Sequence, residues 1–390
     1  MYESGVSRIY LDNAATTSMS SKVRWALCLY LNNRMFGNPD STHCYGRNAS
    51  ETVEWARGEV AKALRAKPEN IIFTSGGSEG NNMIIKGAIM NEGKNAVAVS
   101  AVEHSSVFNS ALNTYGENML CIDVDEDGRV SPEQLDRLLS EQGDRVGLVS
   151  VMMMNNELGT VNDVRKLARI AHKHGALFHT DCVQSFGQQK IYPIDWYIDF
   201  LTVSAHKIHG MQGCGAIYVK DKSRLKPLVA GSDAQEFGLR GGTKNVPGIL
   251  CFGVACSDIK EVYVPEEIST AFLRKLQNEM SKIPQLDGIM TINGESNNKI
   301  LNLRFDGVDS ETLLLLLDAE GVMVSSGSAC HAHETKPSRV LSAIGLSDEA
   351  TRQCIRVSFS NDNTVDEVER AASIIVKCLQ VLHTIPESLS

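Results

Sequence analysis

Short apolar runs recur along the first two thirds of the chain, at residues 71–74, 96–100, 119–124, 147–153, 177–180, 200–204 and 216–219. Runs this short, bounded by polar residues, predict strands. Between them the apolar positions follow a helical period. Ser131 as a cap, Pro132 in the first turn and Glu133 precede Leu135, Leu138 and Leu139 on one face. A second such helix spans 163–174 and stops at Gly175. The alternation predicts an α/β fold, a large domain with a mostly parallel seven-stranded sheet. Beyond Pro247 the pattern changes to helices at 247–260, 266–282, 310–320 and 365–382, with strands at 300–304 and 355–359. That part reads as a smaller α+β domain. The expected division gives residues 18–250 to the larger unit and residues 1–17 with 251–390 to the smaller.

The 390 residues are 43% hydrophobic and 22% charged, the composition of an ordinary folded protein. A net charge of -9 and the lack of a long Lys/Arg block argue against direct nucleic-acid binding. The longest apolar stretches, such as 146–154, fall far short of the roughly 20 residues of a membrane span. Residues 1–8 lack the features of a secretory signal, so a cytoplasmic protein with no membrane partner is expected. Ten scattered cysteines, with no CxxC pair, read as reduced thiols.

Three polar segments follow apolar strands, where open α/β sheets place their ligands. Thr74-Ser75-Gly76-Gly77-Ser78-Glu79-Gly80-Asn81-Asn82 turns into a helix whose first N–H groups suit an anion. His179-Thr180-Asp181-Cys182-Val183-Gln184 places an acid at a strand end, where it can hold a proton on a heterocyclic nitrogen. Ser204-Ala205-His206-Lys207 brings a lysine into the same cleft, the residue type that forms Schiff bases. An anion cradle, an acid and a Schiff-base lysine are together the parts that pyridoxal 5'-phosphate (PLP) requires.

These segments resemble those of the fold-type I PLP-dependent transferases and, among them, the class V aminotransferases. Further matches are Tyr10-Leu11-Asp12-Asn13-Ala14-Ala15-Thr16-Thr17, Gly37-Asn38-Pro39, Glu103-His104, Asn155-Asn156-Glu157-Leu158-Gly159 and Arg240-Gly241-Gly242-Thr243. The resemblance implies that Lys207 binds PLP covalently and Asp181 pairs with its ring nitrogen. It places His104 on the ring face, Asn156 and Gln184 near the ring hydroxyl, and Gly77, Ser78, Ser204 and His206 around the phosphate. Thr243 would reach in from a second subunit, which implies a homodimer. Arg356, with Asn13 and Asn38, would bind the substrate, a guanidinium gripping its carboxylate.

Ser325-Ser326-Gly327-Ser328-Ala329-Cys330 resembles the persulfide-forming loop of the cysteine desulfurases, and Pro337-Ser338-Arg339-Val340-Leu341 resembles the helix after it. A cysteine among small residues is also the accessible, reactive kind. The implied activity converts L-cysteine to L-alanine, with Cys330, Lys207 and His104 catalytic. The sulfur would pass to an acceptor protein for iron–sulfur clusters or thio-modified products. A selenocysteine lyase, or an aminotransferase in which Cys330 is incidental, are the alternatives. Three departures from the family pattern stand out: Ser232-Asp233-Ala234 before Gln235-Glu236, Lys244 at an often acidic position, and His331 and His333 beside Cys330. The histidines read as an ordinary surface loop in preference to a soft-metal site, so no metal is expected.

Overall fold

The computed structural model describes residues 8–33, 35–259, 264–295, 297–327 and 337–384. The chain enters through β1 (Ile9–Tyr10), α1 (Ser21–Asn32) and α2 (Cys44–Ala63). Strand–helix units follow: β2 (Ile71–Thr74), α3 (Gly77–Gly87), β3 (Ala96–Ser100), α4 (Ser105–Tyr115), β4 (Met119–Ile122), α5 (Pro132–Glu141), β5 (Val146–Ser150), α6 (Val164–Lys173), β6 (Leu177–Asp181), β7 (Phe200–Ser204) and β8 (Gly215–Val219). Then come α7 (Val246–Ser257), α8 (Glu266–Met280), β9 (Met290–Asn293), β10 (Ile300–Phe305), α9 (Ser310–Ala319), β11 (Val322–Met323), α10 (Arg339–Ala343), α11 (Asp348–Thr351), β12 (Cys354–Ser358) and α12 (Val365–Thr384).

The seven strands expected from the apolar runs form one sheet, in the order β2-β8-β7-β6-β5-β3-β4. Only β8 is reversed: it pairs antiparallel with β2 and β7, while the remaining pairs are parallel. The C-terminal ends of β2, β3, β5, β6 and β7 therefore share one edge. Helices cover both faces, which is why β3, β5 and β7 are buried throughout and read as continuous apolar runs. Successive side chains enter opposite cores: Ala96, Ala98 and Val149 one, Val97, Val99 and Leu148 the other. The expected Ser131 cap is present, with Gln134 N donating to its Oγ, and Asp163, expected as the first helical residue, caps α6 by accepting from Lys166 N. The run 147–153 is shorter as a strand because Met152 N donates to the Glu103 carboxylate instead of a neighbouring strand.

Helix α7 buries Cys251, Phe252, Ala255 and Cys256 against α1 and α2, so the first core extends past the change of pattern at Pro247. A second core forms around the antiparallel sheet β12-β10-β9, flanked by α8, α9 and α12. It includes Leu11, Phe272, Leu303, Ile355 and Phe359. Strands β1, β9 and β11 are additional to the sequence pattern. Two of them have only two residues, and β9 is a half-exposed edge with no clean alternation.

Arg57 and Glu236 form a bidentate ion pair, at 2.8 and 2.9 Å, with both side chains only 2% exposed. Arg57 also donates to Ile71 O, and Glu236 accepts from Phe73 N, so the pair clasps β2 just before the glycine turn. It also holds Glu236 and Phe237 at φ 45° and 58°, left-handed conformations that cost non-glycine residues energy. Removing one partner strands the other in the core. Arg57→Ala should lower unfolding stability by about 3–5 kcal/mol, and Arg57→Lys should recover only part, as measured by denaturant unfolding.

Candidate active site

The shared strand edge opens into a cavity of about 210 Å³, lined by residues from five of these strand ends, from the amino-terminal segment and from β12. Of the residues singled out in the sequence, it gathers Gly77, Ser78, His104, Asn156, Asp181, Gln184, Ser204, His206, Lys207 and Arg356. Ala14, Ala15, Asn81, Ser106, Met152 and Val183 complete the wall. Thr243 lines a separate cavity with Thr74, Ser75 and Lys244. Asn13 spends its amide on Ser358 O at 3.0 Å, and Asn38 accepts from Asp40 N in a local turn; neither lines the cavity. Cys330 lies outside the described residues.

Lys207 emerges from the turn after β7 and donates to Ala15 O at 2.7 Å and to Ala14 O. Ala14 O also accepts from Gln184 Nε2 at 2.8 Å. Asp181, at the end of β6, accepts from Val183 N at 2.8 Å through Oδ1 and from Asn81 Nδ2 at 2.7 Å through Oδ2. The same amide reaches Ser106 Oγ, which lies 2.7 Å from His104 Nδ1. A relay thus runs from Asp181 through Asn81 and Ser106 to His104. Ser106 N also donates to Nδ1, which leaves the ring proton on Nε2. Asn81 received no role in the sequence reading. The signal for it is helical spacing, since it lies one turn after Gly77 on the same face of α3.

Gly77 opens α3, and a Cβ there would stand 2.9 Å from Val183 Cγ2. Gly76 has φ 153° and ψ −176°, a region closed to side chains. Ser204 Oγ, Asn156 Oδ1 and Gln184 Oε1 are buried with no hydrogen-bond partner among the described residues. Buried polar atoms are rarely left so. Burial first, then Lys207 and Lys299, push His206 down to about 4, so it is neutral near pH 7. Gln212 donates to Thr16 Oγ1, whose proton is then available to His206 Nδ1, leaving an Nε2 donor on the cavity side. Burial, then the Asp181 carboxylate, drive Glu103 well above the usual carboxylate range. Arg356 is 2% exposed and donates to Asp12 Oδ1 at 2.7 Å and Asn156 O at 2.9 Å.

The described flanks of the Cys330 segment bond to Arg356 of this cavity and to residues beside its wall. Ser325 bridges to Arg356 in both directions, Ser338 Oγ donates to Glu157 at 2.6 Å, and Arg339 donates to Ala101 O and Glu103 O.

A family model described as aminotransferase class-V matches residues 9–371. The cysteine desulfurase IscS of Dictyoglomus turgidum is 36% identical, covering 97% of this chain and 96% of that protein. The chain belongs to the cysteine desulfurases within the class-V aminotransferase family. The cysteine desulfurase IscS of Methanosarcina thermophila is 34% identical over 96% of this chain and 92% of its own. Among solved structures, a NifS-like protein from Rickettsia africae superposes with a TM-score of 0.81 at 31% identity, covering 96% of this chain and all of that one. A structure described as SspA in complex with cysteine gives 0.78 at 31% identity, over 91% of this chain and 99% of the other. These enzymes are PLP-dependent, and the cavity suits that cofactor: a glycine-built anion cradle, three unpartnered polar atoms, an acid and a lysine on one wall.

A buried neutral histidine behind the cavity sets a pH dependence. Burial pushes His179 down to about 3, between Ser150 Oγ and Thr202 Oγ1. Between its unfolded value and about 3 the unfolded chain binds a proton that the folded one refuses, so stability falls as pH falls through this window. At pH 5 this group should cost roughly 2 kcal/mol relative to pH 7. His179→Gln should flatten the slope of urea midpoints between pH 7 and 5.

Proposed function

We propose that this chain takes sulfur from free L-cysteine, leaving L-alanine and a persulfide on Cys330. The observation that carries the reading is that both described flanks of the Cys330 segment bond to the Lys207 cavity's lining residues or their neighbours: Ser325 to Arg356, Ser338 to Glu157 and Arg339 to Glu103. When bound, PLP supplies the electron sink for chemistry at the substrate α carbon. Gly77 and Ser78 N–H groups, Ser204 Oγ and His206 Nε2 would hold its phosphate. Asp181, its two oxygens already oriented by Val183 and Asn81, would hold the proton on the ring nitrogen. Asn156 and Gln184, whose buried side-chain oxygens have no partner among the described residues, would bind near the ring hydroxyl.

Arg356 fixes the substrate carboxylate, with Asp12 orienting the guanidinium. Lys207 Nζ takes the α proton and returns protons to the product carbons. His104, which lines the cavity, would lie against the ring and move protons through Nε2. Cys330 Sγ, as thiolate, attacks the substrate sulfur: an S–S bond forms, the carbon–sulfur bond breaks, and the carbon takes a proton to become alanine. Because that persulfide occupies the thiol, a second turnover needs an acceptor, which we assign to a sulfur-accepting protein serving iron–sulfur or thio-product synthesis. Free thiols at nine described cysteines support a reducing, cytoplasmic setting. Among the described residues no helix is long and apolar enough to cross a membrane.

Thr243 lines a different cavity from Lys207, which supports its serving a second copy. Trp25, Leu31, Phe36, Tyr45 and Trp55, each at least 44% exposed, sit on or between α1 and α2 and offer an apolar contact surface.

Cys330→Ser should keep the PLP absorbance band and lose alanine formation by at least a hundredfold. Normal turnover by this variant would remove Cys330 from the reaction. Light scattering should give twice the chain mass, and mixing Lys207→Ala with Thr243→Ala protein should restore part of the activity each lacks, through hybrid dimers with one intact site.

A further inference from the structure

Lys244 departs from the family pattern in sequence, and the fold gives it a partner. Its Nζ donates to Asp40 Oδ1 at 3.1 Å across 204 positions of chain, with the two side chains 10% and 29% exposed. Asp40 Oδ2 accepts from Gln235 Nε2 at 3.1 Å, and Gln235 Oε1 accepts from Gly242 N at 2.8 Å. The two oxygens of Asp40 therefore hold the segment that carries Thr243, one through the residue after it and one, by way of Gln235, through the residue before it. Further back, Arg240 Nε donates to Glu79 Oε1 and Ser75 N to Glu79 Oε2, each at 2.9 Å. Gly241 N donates to Val229 O at 2.9 Å, and Asn245 caps α7 by accepting from Gly248 N. Thr243 itself is exposed, on a loop tied down on both sides of it.

An ion pair this accessible adds little to global stability, and neither Asp40, Gln235 nor Lys244 lines the Lys207 cavity of its own chain. Its consequence is local. Gly242 takes φ 102°, in a region that glycine enters freely, so the backbone just before Thr243 is the soft point of the loop. The Asp40 carboxylate restrains that point from both sides. A hydroxyl that must meet an anion at hydrogen-bond distance gains from such restraint, because the ordering is done on folding and not on binding.

We propose that Lys244 is a positioning residue that acts across the dimer: with Asp40 and Gln235 it fixes Thr243 of one copy where the phosphate of PLP in the other copy can meet it. This rests on reading Thr243 as serving a second copy. The test titrates cofactor-free protein with PLP and follows the absorbance band that needs Lys207. Lys244→Met and Asp40→Ala should each weaken PLP binding about tenfold, the scale of one misplaced hydrogen bond to a charged group, while urea midpoints stay close to wild type. Asp40→Ala also covers the case in which Lys244→Met misfolds. Lys244→Arg, which keeps the charge and a donor, should recover most of the affinity. Hybrid dimers, purified through a different tag on each chain, then locate the effect. With Lys207→Ala on one chain and Lys244→Met on the other, the chain that keeps Lys207 faces an intact Lys244 on its partner, so binding should return to the wild-type value. Binding that stays weak in this hybrid, or wild-type binding in both the Lys244→Met and Asp40→Ala homodimers, would overturn the proposal. A Lys207→Ala and Thr243→Ala hybrid tests the underlying reading separately: if it binds PLP no better than the Thr243→Ala homodimer, Thr243 does not serve a second copy and both readings fall.

Discussion

The carbonyl of Ala14 is where this architecture converges. It accepts from Lys207 and from Gln184, and it lies in a nine-residue stretch that touches both cores. On one side Ile9 and Tyr10 pair with Val322 and Met323, and Leu11 O accepts from Ser358 N. On the other, Thr17 reaches His206 O through both its backbone and its hydroxyl. Asp12 between them holds Arg356. Displacing this stretch would move the lysine, the glutamine and the arginine at once. The cavity is therefore defined as much by a coil segment as by the strand ends around it.

The strand ends themselves follow from sheet direction. With only β8 reversed, six strands deliver their C-termini to one edge, five of them at the cavity, and the three polar segments that carry its chemistry land there. Gly77, Asp181, Ser204 and Lys207 were legible in the sequence for that reason. Each is identified by its position just after a run of strand residues, and such a position already implies the cleft. Gly76 and Gly77 were legible too, since a close backbone approach leaves glycine as its signature.

Other residues depend on contacts that no local pattern encodes. Asn81 and Ser106 join Asp181 to His104 only because α3 and α4 lie side by side. Lys299 reads as an ordinary polar residue before a strand until β10 is placed behind Gln184. Glu103, beside the legible His104, looks like a charged loop residue, yet it is fully buried near Asp181. Asn13 shows the converse. Its place in the Asp12-Asn13-Ala14-Ala15 run suggests ligand binding, while in the fold its amide holds the Ser358 carbonyl and so joins the two ends of the chain.

That last contact sets an order for biosynthesis. Asn13 and its partner Ser358 are 345 positions apart, and β1 has no strand partner until β11 has been made. At translation rates of about 5–20 residues per second, the amino-terminal stretch waits on the order of 20–70 s for its partners. The parallel sheet can assemble meanwhile from nearer neighbours, which leaves the Lys207 wall as the last part of the nascent protein to close. A chain truncated before β11 would carry all seven strands of the large sheet and still lack the surface against which its amino terminus docks.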